Sequence, residues 1–271
     1  MNRHQIPEPF TRLLAALQPW LDQVVIVGGW AHRLYRLHPN AQALAYPPLF
    51  TLDADVALPR IVNAGAADIR RRLLNFGFTE EFSGDAHPPA AHYRSGDGLS
   101  GFYAEFVTPL KGSELDRRQR RKTTVEIAGA LTQQLRHIEL LLQKPWTIDF
   151  RDSGFTGPVQ VANPVAFLVQ KILIHGKREP GDRAKDILYM RDTLEVFGPR
   201  LPELAALWRD EVEPQLNPAK RSAIRATSRK MFGEISNEIR HAARISRERS
   251  LSPEEIRQVC NSGFVEVFGG R

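Results

Sequence analysis

Two short motifs constrain this chain more than any other part of it: Val27-Gly28-Gly29-Trp30 and Thr51-Leu52-Asp53-Ala54-Asp55-Val56. In the first, the apolar run Val24–Val27 ends in paired glycines, which predicts a buried strand turning directly into a helix. The second alternates apolar and acidic residues through Leu58, the period of a half-buried strand. Residues two apart on a strand share a face, so Asp53 and Asp55 stand side by side, about 7 Å apart at their Cα atoms. Like charges held that close repel unless a cation lies between them. Leu52, Ala54 and Val56 bury the opposite face, which leaves the two acids facing a cleft or solvent. The glycine pair removes side chains where backbone N–H groups can approach an anion at a helix start. It is neither a Gly-x-Gly-x-x-Gly fingerprint nor a Walker loop. Together the two motifs predict a divalent metal site beside a turn suited to phosphate.

A third acid supports this. Glu105 is the one charge in Phe102-Tyr103-Ala104-Glu105-Phe106-Val107, and burying a lone carboxylate is costly unless it is paired or metal-bound. Three acids from two adjacent strands would form an oxygen cage for Mg²⁺ or Mn²⁺, with two ions able to activate a hydroxyl and stabilise departing pyrophosphate.

Around these motifs the pattern predicts helices at Pro9–Leu21, Trp30–Leu37 and Asn63–Leu74, and strands at Phe76–Phe82, Ala91–Tyr93, Phe102–Val107 and Gly157–Val161. His38–Leu49 carries three prolines and reads as a loop; Val125–Trp146 gives no clear signal. Asn163-Pro164 is an N-cap followed by proline at the first helical position, and only helices are expected beyond it. They fall at Val165–His175, Asp182–Phe197, Pro199–Val212, Pro218–Ser246 and Pro253–Asn261. The expected fold is therefore a mixed α+β or α/β sheet domain over residues 1–162 and an all-helical lobe over residues 163–271.

The 271 residues carry a net charge of +6, concentrated at Lys111–Lys122 (Arg117, Arg118, Arg120, Arg121, Lys122) and along Lys220–Arg247. Such runs suit either a polyanion or a solvated surface. On the helix expected at Pro218–Ser246, Arg221, Arg225, Arg229, Arg240 and Arg244, with Arg247 beyond, form a stripe that fits an RNA backbone. No apolar run approaches the roughly 20 residues of a membrane span, and the N-terminus lacks the apolar stretch of a secretory signal. Cys260 is the only cysteine, which rules out an internal disulfide and fits a cytoplasmic location.

An apolar-Gly-Gly turn, an Asp-x-Asp strand and a later acidic strand resemble the nucleotidyltransferase fold of the DNA polymerase β-like superfamily. The resemblance implies that Gly28 and Gly29 touch the triphosphate, that Asp53 and Asp55 hold both metals, and that Glu105 binds the second metal and helps deprotonate the acceptor. The chain departs from the pattern at Gly29, where many members carry serine, and in the long stretch from Gly29 to Asp53. In the helical lobe, Gln170-Lys171-Ile172-Leu173-Ile174-His175-Gly176-Lys177-Arg178 and Lys185-Asp186-Ile187-Leu188-Tyr189-Met190 resemble the AbiEii/AbiGii-type nucleotidyltransferases, toxins of abortive-infection and toxin–antitoxin systems. This implies that Lys171, Lys177, Arg178 and Lys185 serve the nucleotide, with Asp186 orienting a cation, so that the helical lobe completes the nucleotide cleft. The implied reaction is transfer of a nucleoside monophosphate from an NTP to an acceptor hydroxyl, such as the 3′ end of a tRNA, with an antitoxin protein as restraint. Competing readings are transfer to a small molecule such as an antibiotic, transfer to a protein, or non-catalytic nucleic-acid binding. Among weaker candidates, His87 and His92 flank Pro88-Pro89 and read as an incidental loop pair; His175 reads as a core or cleft histidine, and Tyr93 and Arg94 as a place for a base or ribose to stack.

Overall fold

A computed structural model describes residues 6–63, 65, 68–83, 90–95, 101–113, 115, 123–152, 154–245 and 249–269. The basic residues Arg117, Arg118, Arg120, Arg121, Lys122 and Arg247, together with His87, lie outside them. The chain divides into two compact units, residues 1–34 with 50–162 and residues 35–49 with 163–271.

The first unit is built on a mixed sheet. Its elements are α1 (Glu8–Leu17), β1 (Val25–Val27), α2 (Gly28–Leu34), β2 (Asp53–Ala57), α3 (Ile69–Asn75), β3 (Phe78–Ser83), β4 (Ala90–Ser95), β5 (Tyr103–Pro109), β6 (Thr124–Ile127), β7 (Ala130–Leu135), α4 (Ile138–Leu141), β8 (Trp146–Asp152) and β9 (Phe155–Val161). The strand order is β3-β4-β5-β2-β1-β9-β8, with β7 also pairing β5 and β6 pairing β7. β2 runs parallel to β5 and antiparallel to β1, which places the two acidic strands side by side. The region without a clear signal, 125–146, holds a hairpin, a one-turn helix and the start of β8.

Local chemistry explains where elements stop. α1 ends at Leu17, short of the expected Leu21, because Pro19 lacks an N–H and forces a 3₁₀ turn over Gln18–Trp20. α3 starts at Ile69 rather than near Asn63, since Asp68 is the cap, its side chain accepting from Arg71 N at 2.9 Å. Phe10 stacks on Trp30 with ring centroids 3.9 Å apart, and Trp30 meets Phe102 edge-on, so α1 and α2 share one apolar layer with the sheet.

The second unit is helical: α5 (Pro164–Ile174), α6 (Pro180–Val196), α7 (Leu201–Leu207), α8 (Pro218–Phe232), α9 (Asn237–Ile245) and α10 (Pro253–Phe268). Asn163 caps α5, accepting from Ala166 N at 2.8 Å. The single helix expected over Pro218–Ser246 is two, because the chain breaks after Gly233 and restarts where the Ser236 hydroxyl accepts from Ile239 N. α10 runs seven residues past the expected Asn261, held by buried Phe264, Val267 and Phe268. The proline-rich segment 35–49 joins this unit through Tyr46. Arg191 Nη1 donates to the Tyr46 hydroxyl at 2.6 Å, that hydroxyl donates to Glu195, and Arg249 bonds both buried Asp192 (2.5 Å) and the Pro47 carbonyl (2.6 Å). No helix of the described residues is long and apolar enough to cross a membrane.

Candidate active site

The register of three strands assembles an acidic face. Asp53 pairs with Tyr103 and Asp55 with Glu105 across the parallel β2–β5 ladder, so all four side chains leave the same side of the sheet. Ala54, Val56, Ala104 and Phe106 point the other way and are fully buried. On the far side of β5, Arg94 and His92 of β4 pair with Tyr103 and Glu105, extending the face by one strand.

Gly28 follows immediately. Val27 is the β1 partner of Asp55, and Gly28 turns the chain into α2 with φ +61°. A Cβ at this position would overlap the Asp55 carboxylate at Oδ2. Glycine is thus required twice, by backbone conformation and by the space the acid occupies. Gly29 is buried in the first turn of α2. We expect Gly28→Ala to lower stability by about 1–2 kcal/mol from the left-handed conformation alone, measured by urea denaturation. It should also displace Asp55; a crystal structure of the variant with that carboxylate unmoved would contradict this.

The acids are not equivalent. Asp53 accepts a hydrogen bond from the Thr51 hydroxyl. Glu105 is held from both sides: His92 Nε2 lies 3.1 Å from Oε1, and Gln133 Nε2 of β7 donates to Oε2 at 3.5 Å. Burial, reinforced by the Asp53 charge, raises the Glu105 pKa above the ordinary carboxylate range. His92 is shifted down, first by burial and then by the Arg94 charge. Its ring stacks on Tyr103 at 5.2 Å with planes 22° apart. Burial and then Asp53, Glu105 and Asp55 raise the Tyr103 phenol, so all three carboxylates act on that one ring.

The face carries three carboxylates, and the Asp53 charge adds to burial in disfavouring ionised Glu105. Among the described residues, however, no group of three or more His, Cys, Asp or Glu side chains is placed to hold a metal ion, so the three-acid cage expected from the sequence is not formed as such. The acids stand in a row set by the strand register. Mg²⁺ keeps several waters and takes one or two carboxylates plus substrate phosphates in such sites.

Other expected residues fall differently. His92 is a strand residue on the acidic face, not part of an incidental loop pair. Tyr93 points to the opposite face, fully buried, its hydroxyl donating to Glu80 at 3.0 Å, so it is core and not a stacking platform. Arg94 stays on the acidic face, its guanidinium 5.9 Å from the Tyr103 ring centre and its Nε 2.9 Å from Glu81.

Lys171, Lys177, Arg178, Lys185 and Asp186 belong to the second unit. Lys171 is buried on α5, its ammonium 2.6 Å from the Asp186 carboxylate of α6 and about 5.5 Å from the Phe167 and Tyr189 rings. Arg178 Nε approaches the other Asp186 oxygen at 3.3 Å. Lys177 is exposed, and the half-buried Lys185 lies over Tyr189. His175 is half-buried, with burial lowering its pKa.

The site thus combines a mixed sheet, aligned carboxylates and a glycine turn at the start of a helix. A family model described as a nucleotidyltransferase matches residues 8–213, and the chain belongs to that family. A search of curated proteins finds no match.

Proposed function

We propose that the chain transfers a nucleoside monophosphate from an NTP to an acceptor hydroxyl in a metal-dependent reaction, with Asp53, Asp55 and Glu105 as the metal-binding acids. The observation that carries this is the register pairing Asp55 with Glu105 while Val27 hands Gly28 to Asp55. Bound Mg²⁺ or Mn²⁺ would supply charge neutralisation for the phosphates and a lowered pKa for the attacking hydroxyl. The protein's own contribution is positioning. Asp53 and Asp55 would hold the cations that receive the triphosphate beside the Gly28-Gly29 turn, and Glu105 would hold the second cation and help take the acceptor proton. His92 and Gln133 keep the Glu105 carboxylate from rotating. By the resemblance described above, Lys171, Lys177, Arg178 and Lys185 serve the nucleotide, and Asp186 positions Lys171. The same resemblance favours an RNA acceptor, the 3′ end of a tRNA, and a toxin role restrained by an antitoxin, in the cytoplasm.

The test is incubation with each α-labelled NTP, Mg²⁺ or Mn²⁺, and in turn total RNA, proteins and aminoglycosides. Label on tRNA supports the full reading. Label on protein or drug keeps the transferase and replaces its acceptor, and absence of label on any acceptor overturns the proposal.

Glu105 gives an independent readout. Its pKa is raised by folding, so without a cation its stabilising effect belongs to low pH and is lost as pH rises through the folded value. A cation that binds the ionised form must compete with that proton. The rise in thermal midpoint caused by Mn²⁺ should be largest near neutral pH and shrink on acidification. In Glu105→Gln the Glu105 part of this competition should disappear, leaving only that of Asp53 and Asp55, and an unchanged pH profile there would rule out Glu105 as a ligand. His92→Ala should weaken Mn²⁺ binding roughly 10-fold or more, as outer-shell substitutions do, with titration calorimetry as the measurement.

A further inference from the structure

The family match ends at residue 213, before α8 begins. The segment that follows is strongly basic: residues 218–245 hold seven lysines and arginines against two glutamates, a net of +5 in a chain whose total is +6. α8 itself has five basic residues and no acid. One of the two glutamates, Glu238, is already paired with Arg183 at 2.9 Å.

Two of these arginines are locked in place. Arg221 donates through Nε to the Leu216 carbonyl (2.8 Å) and through Nη2 to the Pro214 carbonyl (3.4 Å). Arg225 donates through Nε to the Phe268 carbonyl (2.9 Å) and through Nη2 to Glu213 (2.6 Å), with its guanidinium 5.9 Å from the Trp208 ring centre. Among the described residues, Nη1 of each makes no bond. Both arginines line an open cavity of about 380 Å³ with Pro218, Ser222, Ala226, Arg229 and Glu213, the last already paired with Arg225, so the lining keeps a net positive charge of two. Their ordering cost is met by folding, so an anion entering the cavity meets donors already fixed. Arg229 lies on the same face of α8, lines the same cavity and makes no side-chain bond among the described residues, whereas Lys220 and Lys230 lie about 140° round the helix from Arg225.

From these observations we propose that α8 is a binding surface for the phosphodiester backbone of an RNA strand, outside the family's matched region. It rests on the RNA-acceptor part of the reading above. Arg221, Arg225 and Arg229 recur every four residues, about 6 Å of helix rise each, so the cations form a row and not a single anion pocket. Exposed Arg240 and Arg244 on α9 add to the same charge. Small neighbours, Ser222, Ala223 and Ala226, leave the row accessible to a backbone. Guanidiniums that meet the backbone phosphates position a strand without reading its sequence.

The test is fluorescence anisotropy of the full-length protein with a labelled 20-nucleotide RNA of mixed sequence, across a range of salt concentrations. It compares wild type with Arg229→Glu, in which the two locked arginines are untouched, and with Lys220→Glu, on the other side of the helix, as the charge-matched control. Arg229→Glu should bind several-fold more weakly, with the salt slope reduced by about 0.7 for one lost single-strand contact, and Lys220→Glu should change both less. Circular dichroism should be unchanged in both. Equal affinity and slope in Arg229→Glu and wild type would overturn the proposal. So would competition by polyglutamate as effective as by RNA, which would assign the surface to an acidic protein. If wild type binds no RNA yet labels another acceptor, this inference fails while the transferase reading stands; RNA binding without any transfer has the opposite meaning.

Discussion

Asp53→Ala and Asp55→Ala should each reduce nucleotide transfer by about a thousandfold or more while leaving the protein folded. A thousandfold is about 4 kcal/mol at 1.36 kcal/mol per decade, within what a metal clamp on a reacting phosphoryl group supplies. Stability should move the other way or not at all. Asp55 and Glu105 are direct partners on adjacent parallel strands, and the Asp53 charge already disfavours ionised Glu105. Removing an aspartate relieves that repulsion in the metal-free protein. The expected combination is lost activity, an unchanged or raised thermal midpoint, and loss of the Mn²⁺-induced rise in midpoint. Initial rates of pyrophosphate release and melting curves with and without Mn²⁺ measure all three. Either variant turning over at the wild-type rate would remove the aspartates from the site.

The aspartate pair could be read from sequence because its information is local. A period of two puts Asp53 and Asp55 on one face whatever the rest of the chain does, and a glycine pair after an apolar run marks a tight strand-to-helix turn. Glu105 could be recognised as anomalous, one acid in an apolar strand, but its pairing with Asp55 depends on a parallel register fifty residues away. No local pattern encodes that. His92 shows the same limit. A strand is expected at Ala91–Tyr93, but which acid His92 meets is not written there: its 3.1 Å approach to Glu105 comes from antiparallel pairing. The weakly patterned stretch 125–146 forms strands because partners exist on β5 and β9, a tertiary reason that outweighs propensity. The network around Tyr46 is the most distant case. Its partners Asp192 and Arg249 lie 146 and 203 positions away, and nothing near Tyr46 announces them.

Lys171→Met should destabilise the helical unit by about 3–5 kcal/mol, the cost of leaving a buried charge without its partner. Asp186 is 1% exposed and Lys171 7%, and their 2.6 Å contact is the closest that either makes. Arg178 reaches the second Asp186 oxygen at 3.3 Å, but it is over a third exposed and makes only partial compensation. Lys171 also loses its position over the Phe167 and Tyr189 rings, although methionine, a flexible apolar side chain, retains much of that packing. The destabilisation is therefore expected to be electrostatic, and the double variant Lys171→Met/Asp186→Leu should recover most of it. Urea unfolding of the wild type, both single variants and the double variant gives the coupling energy directly. A coupling near zero would mean that the pair is incidental. If instead the double variant is as stable as wild type but inactive, Lys171 and Asp186 are kept for the nucleotide and not for the fold, because a purely structural pair would be dispensable once replaced by apolar side chains.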